Sequence, residues 1–330
     1  MSLPNWARVH GNPLYSALIR SQPQDFDVTE ELGYEFSGDG EHDFLFVEKT
    51  NANTDWLSKQ LAGHAGVPPR DVGYAGLKDR HAVTRQWFSV PRWNAPDWNA
   101  LAIDGVRLLD QQRHNRKLRR GAHQSNRFRI VLQGQTPAEA ALQERLVMIK
   151  AVGVPNYFGR QRFGRGGANI ALADQWAEGR RLPRHKRSFA ISAARSFLFN
   201  EELAQRVADS TWNQLLAGDI ANLDGSGSVF TVTEPDAELL RRCDEMDIHP
   251  TGALSGDGSP LLSSATGHEN WLAALEGARV KPARRSLRLR IADLDWTISE
   301  DSLLLEFALP RGAFATSVLR EIADVEDAPR

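Results

Sequence analysis

The segment VPNYFGRQRFGRGGAN, residues 154–169, is where the pattern of this sequence changes. It is rich in glycine, arginine and aromatic residues and has no hydrophobic period, which predicts a long loop. Before it, short strand and helix patterns alternate. After it the chain is helix-rich, with its longest helix pattern over residues 188–209, and strand patterns return at about residue 287. Strands on both sides of a helical block predict an α+β domain interrupted by an inserted domain.

Three helices that flank this block are predicted from their end signals. The segment NTDWLSKQLAGHAG, residues 53–66, offers Asn or Thr as N-cap and ends in glycine. The segment 136–153 has Thr136 as candidate N-cap, proline at the first helical position and a glutamate that completes a capping box. A last helix is predicted over TSVLREIAD, residues 316–324.

NRFRIVL, residues 126–132, is the clearest strand pattern. Its period of two places Asn126 and Phe128 on one face and Arg127 and Arg129 on the other. The strand starts where a basic loop ends, which is a position from which a sheet presents side chains to a ligand. Asn126 and Phe128 are therefore candidate ligand-binding residues, with the alternative that Phe128 is an ordinary core aromatic.

Composition restricts the class of protein. The chain has 330 residues, of which 41% are hydrophobic and 25% are charged, as in globular proteins of about two domains. It contains no apolar run of bilayer length, and we expect neither a secretory signal nor a membrane partner. A single cysteine, Cys243, fits a reducing compartment, so the cytoplasm is the expected location.

The sequence carries no motif for a metal or a cofactor. The histidines form no His-x-x-x-His pair, and a lone cysteine cannot form Cys-x-x-Cys. RFGRGGAN, residues 162–169, lacks the Lys-Ser/Thr of a P-loop. We therefore expect no metal, no nucleotide and no other cofactor, and any chemistry must come from ordinary side chains.

Basic residues are concentrated in parts of the chain, although the formal net charge is only −2. Three segments hold 22 of the 40 Lys and Arg residues, mostly as arginine: 113–129, 160–195 and 279–290. Arginine suits both bidentate phosphate contacts and stacking on bases. This distribution favours a polyanionic partner.

GYAGLKDRHAVTRQWFSV, residues 73–90, sets one carboxylate, Asp79, among three basic side chains, Lys78, Arg80 and His81. Neighbouring cations keep a carboxylate ionised and available as a base or nucleophile. The alternative is structural, because Asp is a favoured N-cap and RHAVTRQ can follow it as a helix. Both interpretations of Asp79 stay open on these residues alone.

Two more aromatic residues occupy positions that suit a binding site. Phe26 begins a strand pattern, and Phe314 lies in a glycine-containing turn before the last helix. Phe26 has a plain strand interpretation, and Phe314 can be a hydrophobic staple. One carboxylate, several aromatic residues, one amide and much arginine nevertheless suit an enzyme that acts on an unstacked base.

The sequence resembles the TruD family of tRNA pseudouridine synthases along nearly its whole length. Six stretches match in order: QPQDFDVTEELG (22–33), YAGLKDRHAVTRQW (74–87), RKLRRGAHQSNRF (116–128), GVPNYFGRQRFG (153–164), KRSFAISAARSFLFN (186–200) and LPRGAFATSVLRE (309–321). Residues 202–275 match the family poorly. The resemblance implies a pseudouridine synthase core, a mixed sheet flanked by helices, interrupted by a helix-rich inserted TRUD domain. The expected boundaries are 1–152 for the first part of the core, 153–286 for the inserted domain and 287–330 for the last part of the core.

By this resemblance Asp79 is the catalytic carboxylate. Three residues match positions that hold the target uridine: Phe26, Asn126 and Phe314. Phe128 matches the aromatic residue that stacks on the base, and Arg20 falls where the family carries a basic residue near the catalytic carboxylate. The basic segments supply the expected contacts to the RNA backbone: Arg116, Lys117, Arg119 and Arg162.

The activity that the resemblance implies is isomerisation of uridine to pseudouridine in tRNA, at position 13 of the D arm. The expected partner is tRNA, and the expected state is a monomer. Two alternatives remain, a non-catalytic RNA-binding protein and a pseudouridine synthase that acts on another RNA. A carboxylate hydrolase would need a second acidic group beside Asp79, and none stands out in the sequence.

Overall fold

The strand patterns on both sides of the helical block join in one mixed sheet in the computed structural model, which describes residues 3–258 and 267–329. The strands are β1 (Ser16–Ile19), β2 (Phe26–Glu31), β3 (His42–Thr50), β4 (Gly73–Tyr74), β5 (Val83–Pro91), β6 (Val106–His114), β7 (Ser125–Gln133), β8 (Val154–Pro155), β9 (Ile220–Leu223), β10 (Val229–Thr231), β11 (Ile248–Leu254), β12 (Ala283–Ser286), β13 (Arg288–Leu289), β14 (Ala292–Ile298), β15 (Ser302–Pro310) and β16 (Asp324–Asp327). The helices are α1 (Thr54–Ala65), α2 (Glu139–Val152), α3 (Ala168–Ala177), α4 (Arg184–Ala208), α5 (Ala237–Asp244), α6 (Glu269–Gly277) and α7 (Ala315–Leu319). Within the two described ranges, no helix has the length and apolar character needed to cross a bilayer.

The chain forms two compact units, each built from separate stretches. The sheet unit consists of Leu14–Leu142, Ile291–Gly312 and Ala323–Arg330. The helical unit consists of Met1–Pro13, Gln143–Arg290 and Ala313–Ile322. The domain boundaries given above, with an inserted domain over 153–286, remain predictions.

The large sheet of the sheet unit has the strand order β14-β15-β7-β2-β5-β3-β6, with β1 pairing with β7 and β16. Neighbours along this order are antiparallel except β2 and β5, which are parallel, as are β1 and β16. Leu57 and Leu61 of α1 form one core with Val47 and Phe88 of the sheet. This arrangement confirms the α+β class with a mixed sheet.

Helix α1 follows its sequence signals. The Asn53 side chain accepts a hydrogen bond from the main-chain N–H of Asp55, which caps the first turn. Gly66 ends the helix in the left-handed conformation, at φ 65°. Glycine adopts this φ without a steric penalty, so the helix predicted over 53–66 is confirmed.

Two predicted helix ends are wrong. Helix α2 begins at Glu139 rather than after a cap at Thr136. The Thr136 hydroxyl instead donates to the carbonyl oxygens of Ser299 and Glu300. The last helix, α7, ends at Leu319, and the chain continues to β16, which pairs with β1. Both differences depend on partners that are distant in the sequence.

The helical unit has α4 as its longest element, over Arg184–Ala208. The buried side of α4, which includes Ala190, Ala194 and Phe197, packs in one core with residues of α3 and α6. A four-stranded sheet in the order β10-β9-β11-β12 belongs to the same unit. The helix pattern at 188–209 is therefore confirmed, with a start one turn earlier.

Candidate active site

Asp79 lies in a segment without helix or strand between β4 and β5. We call residues 75–82 the Asp79 loop. Strand β5 begins at Val83, so most of RHAVTRQ is strand and no helix follows Asp79. The helix-cap interpretation of Asp79 is therefore wrong. Its side chain is 56% exposed, which leaves the carboxylate accessible to a ligand.

Three buried polar side chains of the large sheet bind the Asp79 loop. They come from neighbouring strands: Glu30 of β2, Gln86 of β5 and Lys49 of β3. The strand register and the period of two place all three on one face of the sheet. Gln86 Nε2 donates to the carbonyl oxygen of Gly76 at 3.2 Å. The sheet thus forms a polar floor for the loop.

Lys78, the residue before Asp79, is fixed at both its side chain and its main chain. Its Nζ lies 2.6 Å from Glu30 Oε2, and the two side chains are 6% and 0% exposed. Glu30 Oε1 also accepts from the main-chain N–H of Trp87 at 3.2 Å. The main-chain N–H of Lys78 donates to Thr54 Oγ1 at 3.1 Å. These contacts restrain the main chain on the N-terminal side of Asp79.

Lys49 binds the loop at Asp79 itself. Its Nζ donates to the carbonyl oxygens of Asp79, at 3.0 Å, and of Ala52, at 2.7 Å. The side chain is entirely buried. Burial lowers the pKa of Lys49 to about 8; the Asp79 carboxylate opposes this shift, and the Lys78 ammonium adds to it.

Arg20 connects the carboxylate of Asp79 to an aromatic ring. It follows β1 at φ 59°, in the left-handed region, which disfavours non-glycine residues by ~1–2 kcal/mol. Its Nη2 lies 3.5 Å from Asp79 Oδ2, and its Nη1 lies 2.6 Å from Asp327 Oδ1. The guanidinium carbon lies 4.0 Å from the centre of the Phe26 ring. One cation therefore contacts two carboxylates and an aromatic face.

Phe26, Asn126 and Phe128 lie on the sheet face that also carries Glu30. Register pairs Glu30 with Asn126, and Phe26 and Phe128 fall in phase with this pair. The Phe26 and Phe128 rings meet edge to face at 6.3 Å, and Phe128 stacks on Phe307 at 5.4 Å. Asn126 Oδ1 is buried and has no hydrogen-bond partner within residues 3–258 and 267–329. An unsatisfied buried amide oxygen is available to a ligand donor.

The expected RNA-backbone residues of the sheet unit are exposed. Arg116, Lys117 and Arg119 all lie in the segment between β6 and β7. Lys117 Nζ donates to the carbonyl oxygen of Arg70 at 2.6 Å, which holds one end of this segment. The positive side chains are accessible, as phosphate contacts require.

Phe314 and Arg162 belong to the helical unit. The half-buried Phe314 precedes α7, and its ring lies 6.0 Å from that of Phe158. The Arg162 guanidinium lies 5.7 Å from the Phe314 ring and donates to Ser192 Oγ at 3.1 Å. Burial lowers the pKa of Arg162. Arg162 is thus more enclosed than Arg116, Lys117 and Arg119.

Sequence reasoning missed Glu30, Lys49 and Gln86. Each is a polar residue in phase with buried apolar residues of its own strand, as Lys49 is with Leu45 and Val47. A polar residue at an inward position of a strand is a detectable signal, because burial of such a group requires a partner. The identity of the partner is not readable from the strand alone.

The assembled groups suit chemistry on a planar ligand. An accessible carboxylate beside a fixed cation can attack an electrophilic carbon or remove a proton. The aromatic residues and the amide oxygen of Asn126 can hold a heterocycle by stacking and by one directed hydrogen bond.

Known proteins resemble this chain in sequence and in fold. A family model for tRNA pseudouridine synthase D (TruD) matches residues 9–173 and 170–322. A tRNA pseudouridine synthase D of Methylococcus capsulatus is 46% identical over 333 residues, which cover 97% of this chain and 94% of the relative. One of Hydrogenovibrio crunogenus is 42% identical over 340 residues, which cover 99% and 98%. A Methanosarcina mazei crystal structure assigned to tRNA pseudouridine synthase D superposes with a TM-score of 0.70 at 20% identity, covering 99% of this chain and 96% of that one.

Proposed function

This chain belongs to the TruD family of tRNA pseudouridine synthases, and on that premise we propose that it converts uridine 13 of tRNA to pseudouridine with Asp79 as the catalytic carboxylate. Membership of this family shows the class of reaction, which is pseudouridine synthesis in tRNA. The position in the tRNA and the role of Asp79 are the parts that need their own test.

One observation carries the proposal for Asp79. Its exposed carboxylate contacts Arg20, whose guanidinium lies on Phe26, and Phe26 in turn meets Phe128. The exposed carboxylate and the buried aromatic pair that we propose contacts the flipped base are therefore joined through a single arginine. A protein that only bound RNA would have no use for a carboxylate in this position, since it repels phosphate.

The reaction needs little besides a carboxylate and a pocket. The N1–C1′ bond breaks, the base turns, C5 bonds to C1′, and the hydrogen lost from C5 is balanced by one gained at N1. Substrate and product contain the same atoms, so no oxidant, reductant, metal or energy source is required. Asp79 acts either by attacking the sugar at C1′ or by removing the C2′ proton.

The detached base has to be held while it turns. We assign stacking to Phe128 and a lateral contact to Phe26, and the family resemblance assigns Phe314 to uridine binding as well. Asn126 Oδ1, which lacks a partner in the described chain, is suited to accept the N3–H of uracil. Unstacking a base costs a few kcal/mol, and new stacking and phosphate contacts offset this cost.

We propose that tRNA binds through phosphate contacts of Arg116, Lys117, Arg119 and Arg162. The first three are exposed, and counterion release makes such contacts favourable at low salt. We further propose that the protein acts as a monomer in the cytoplasm, where its proposed substrate is found.

Release of tritium from tRNA labelled at uridine C5 tests the function, because pseudouridine formation frees that hydrogen. The assay uses the full chain in EDTA without added cofactor, on a tRNA with uridine at position 13 and on the same tRNA with cytidine there. We expect release of one equivalent from the first tRNA and none above background from the second. Equal release from both contradicts position 13, and no release from either contradicts the activity.

A further inference from the structure

Lys49 is a buried lysine that the proposed reaction has not yet used. It lies on β3 in phase with Leu45 and Val47, and its side chain is entirely buried. Lysine is almost never fully buried without a paired charge, because the ammonium loses its hydration. Lys49 therefore occupies a costly position, which calls for an explanation.

The hydrogen bonds of Lys49 go to main-chain carbonyl oxygens rather than to a carboxylate. Nζ donates to Ala52 O and to Asp79 O, at 2.7 Å and 3.0 Å. The Ala52 contact is local to the turn after β3 and explains nothing beyond that turn. The Asp79 contact joins the strand to the Asp79 loop, 30 positions further along the chain.

The charges around Lys49 are few. Opposite it stand uncharged residues, Thr84 on β5 and Val106 on β6. The Asp79 loop contributes the carboxylate of Asp79, which favours the ammonium form, and the ammonium of Lys78, which opposes it. Lys78 is itself paired with Glu30 of β2. Coulomb attraction is mutual, so the Lys49 charge also stabilises the Asp79 carboxylate.

We propose that Lys49 is a positioning residue, which fixes the main chain of Asp79 from inside the sheet and keeps a positive charge beneath its carboxylate. The inference rests on the proposed role of Asp79. Lys78 and Thr54 restrain the loop before Asp79, and Lys49 restrains the main chain of Asp79 itself. These buried contacts fix the direction in which the exposed Asp79 side chain points. A charged donor makes a stronger hydrogen bond than a neutral one, which makes the restraint depend on protonation.

The pH dependence has a defined sign. The pKa of Lys49 is about 8, so the ammonium is lost as the pH rises from about 7 to about 9, and the rate of the chemical step falls with it. The free energy of unfolding changes with pH in the direction opposite to the rate. An unfolded lysine keeps its proton to about pH 10.4, so the unfolded state binds more protons than the folded state above about pH 8, and stability rises with pH.

The test compares Lys49→Met with the wild type and with Lys59→Met, which removes an exposed lysine of α1. Single-turnover tritium release is measured at saturating tRNA from about pH 7 to about pH 9, together with tRNA affinity and thermal unfolding. We expect the wild-type and Lys59→Met rates to fall with a midpoint near pH 8. We expect Lys49→Met to be about tenfold slower at pH 7 and flat with pH, with unchanged tRNA affinity.

Two results overturn the inference while leaving the proposed function intact. One is a folded Lys49→Met protein with the wild-type rate and pH profile. The other is a wild-type rate that does not change between about pH 7 and about pH 9, which decides the matter even if Lys49→Met does not fold. A wild type that releases no tritium at any pH overturns the proposed function, and the inference with it.

Discussion

Arg20 Nη1 lies 2.6 Å from Asp327 Oδ1, whereas Arg20 Nη2 lies 3.5 Å from Asp79 Oδ2. Asp327 is therefore the closer partner of the arginine, although Asp79 is the proposed catalytic group. A loose contact leaves the Asp79 carboxylate more reactive than a tight ion pair would, because a tight pair neutralises the nucleophile.

Asp327→Asn should release Arg20 to pair more closely with Asp79. We expect single-turnover tritium release to slow by at most about fivefold, since an exposed ion pair is worth ~1 kcal/mol or less. The affinity for tRNA should not change. Asp324→Asn, at an exposed position of the same strand, is the control and should behave as the wild type. A faster Asp327→Asn protein would contradict this account of Arg20.

Asp79→Asn removes the charge of Asp79 and keeps its shape. We expect no tritium release above background, while tRNA affinity and the unfolding midpoint stay near those of the wild type. The fold should survive because the main-chain contact to Lys49 does not involve the side chain that changes. Near-normal release from this variant would end the catalytic assignment.

Phe128→Leu removes an aromatic face and keeps most of the apolar volume. Stacking of a base on an aromatic residue is worth ~1–3 kcal/mol, so the rate should fall far more than tRNA affinity. Phe307→Leu is the matched control, because Phe307 stacks on Phe128 and is entirely buried. Phe307→Leu should lower stability and leave the rate near normal. Equal rate losses in both variants would mean that Phe128 only packs in the core.

Glu30→Gln should destabilise the protein strongly. It leaves Lys78 buried without its carboxylate, and breaking one side of a buried ion pair costs ~3 kcal/mol or more. Asp27→Asn breaks the neighbouring pair with Arg85, which is 2.6 Å long and partly exposed, and should cost ~1 kcal/mol or less. Urea unfolding of both variants measures the difference. Similar costs would show that burial of the Glu30–Lys78 pair has little influence.

Affinity for tRNA should fall steeply with salt. Neutralising Arg116 or Arg119 should each lower the slope of log affinity against log salt by about one, because each phosphate contact releases a counterion. Lys59→Met, outside the three basic segments, should leave the slope unchanged. A slope that is the same in all variants would remove these residues from the RNA contacts.

The sequence predicts an element correctly where the residues that determine its structure lie within that element. The caps of α1 and the alternation of β7 are both present as predicted. The predicted start of α2 is wrong because the Thr136 hydroxyl donates to the carbonyl oxygens of Ser299 and Glu300 instead of capping the helix. No local pattern reports a partner that distant.

The candidate site shows the same difference between features that local sequence predicts and features that depend on distant partners. Asp79 is identifiable in the sequence because cations surround it, but the residues that hold its loop come from three strands of the large sheet. Glu30 and Lys49 look like ordinary polar residues until the sheet is assembled and their positions turn inward. The N-cap alternative for Asp79 is wrong for a similar reason. The residues that follow Asp79 form strand β5 because they pair with β2 and β3.

The place of β7 in the large sheet has a consequence for synthesis of the chain on the ribosome. Strand β7 lies between β2 and β15, and residues 134–301 are translated between β7 and β15. Throughout that interval the nascent polypeptide has an open edge at β7, with the N–H and C=O groups of Asn126 to Leu132 unpaired on that side and Phe128 without Phe307. An open strand edge can pair with a strand of another chain. Aggregation therefore competes with folding at this stage of synthesis, and binding of a chaperone is most useful then.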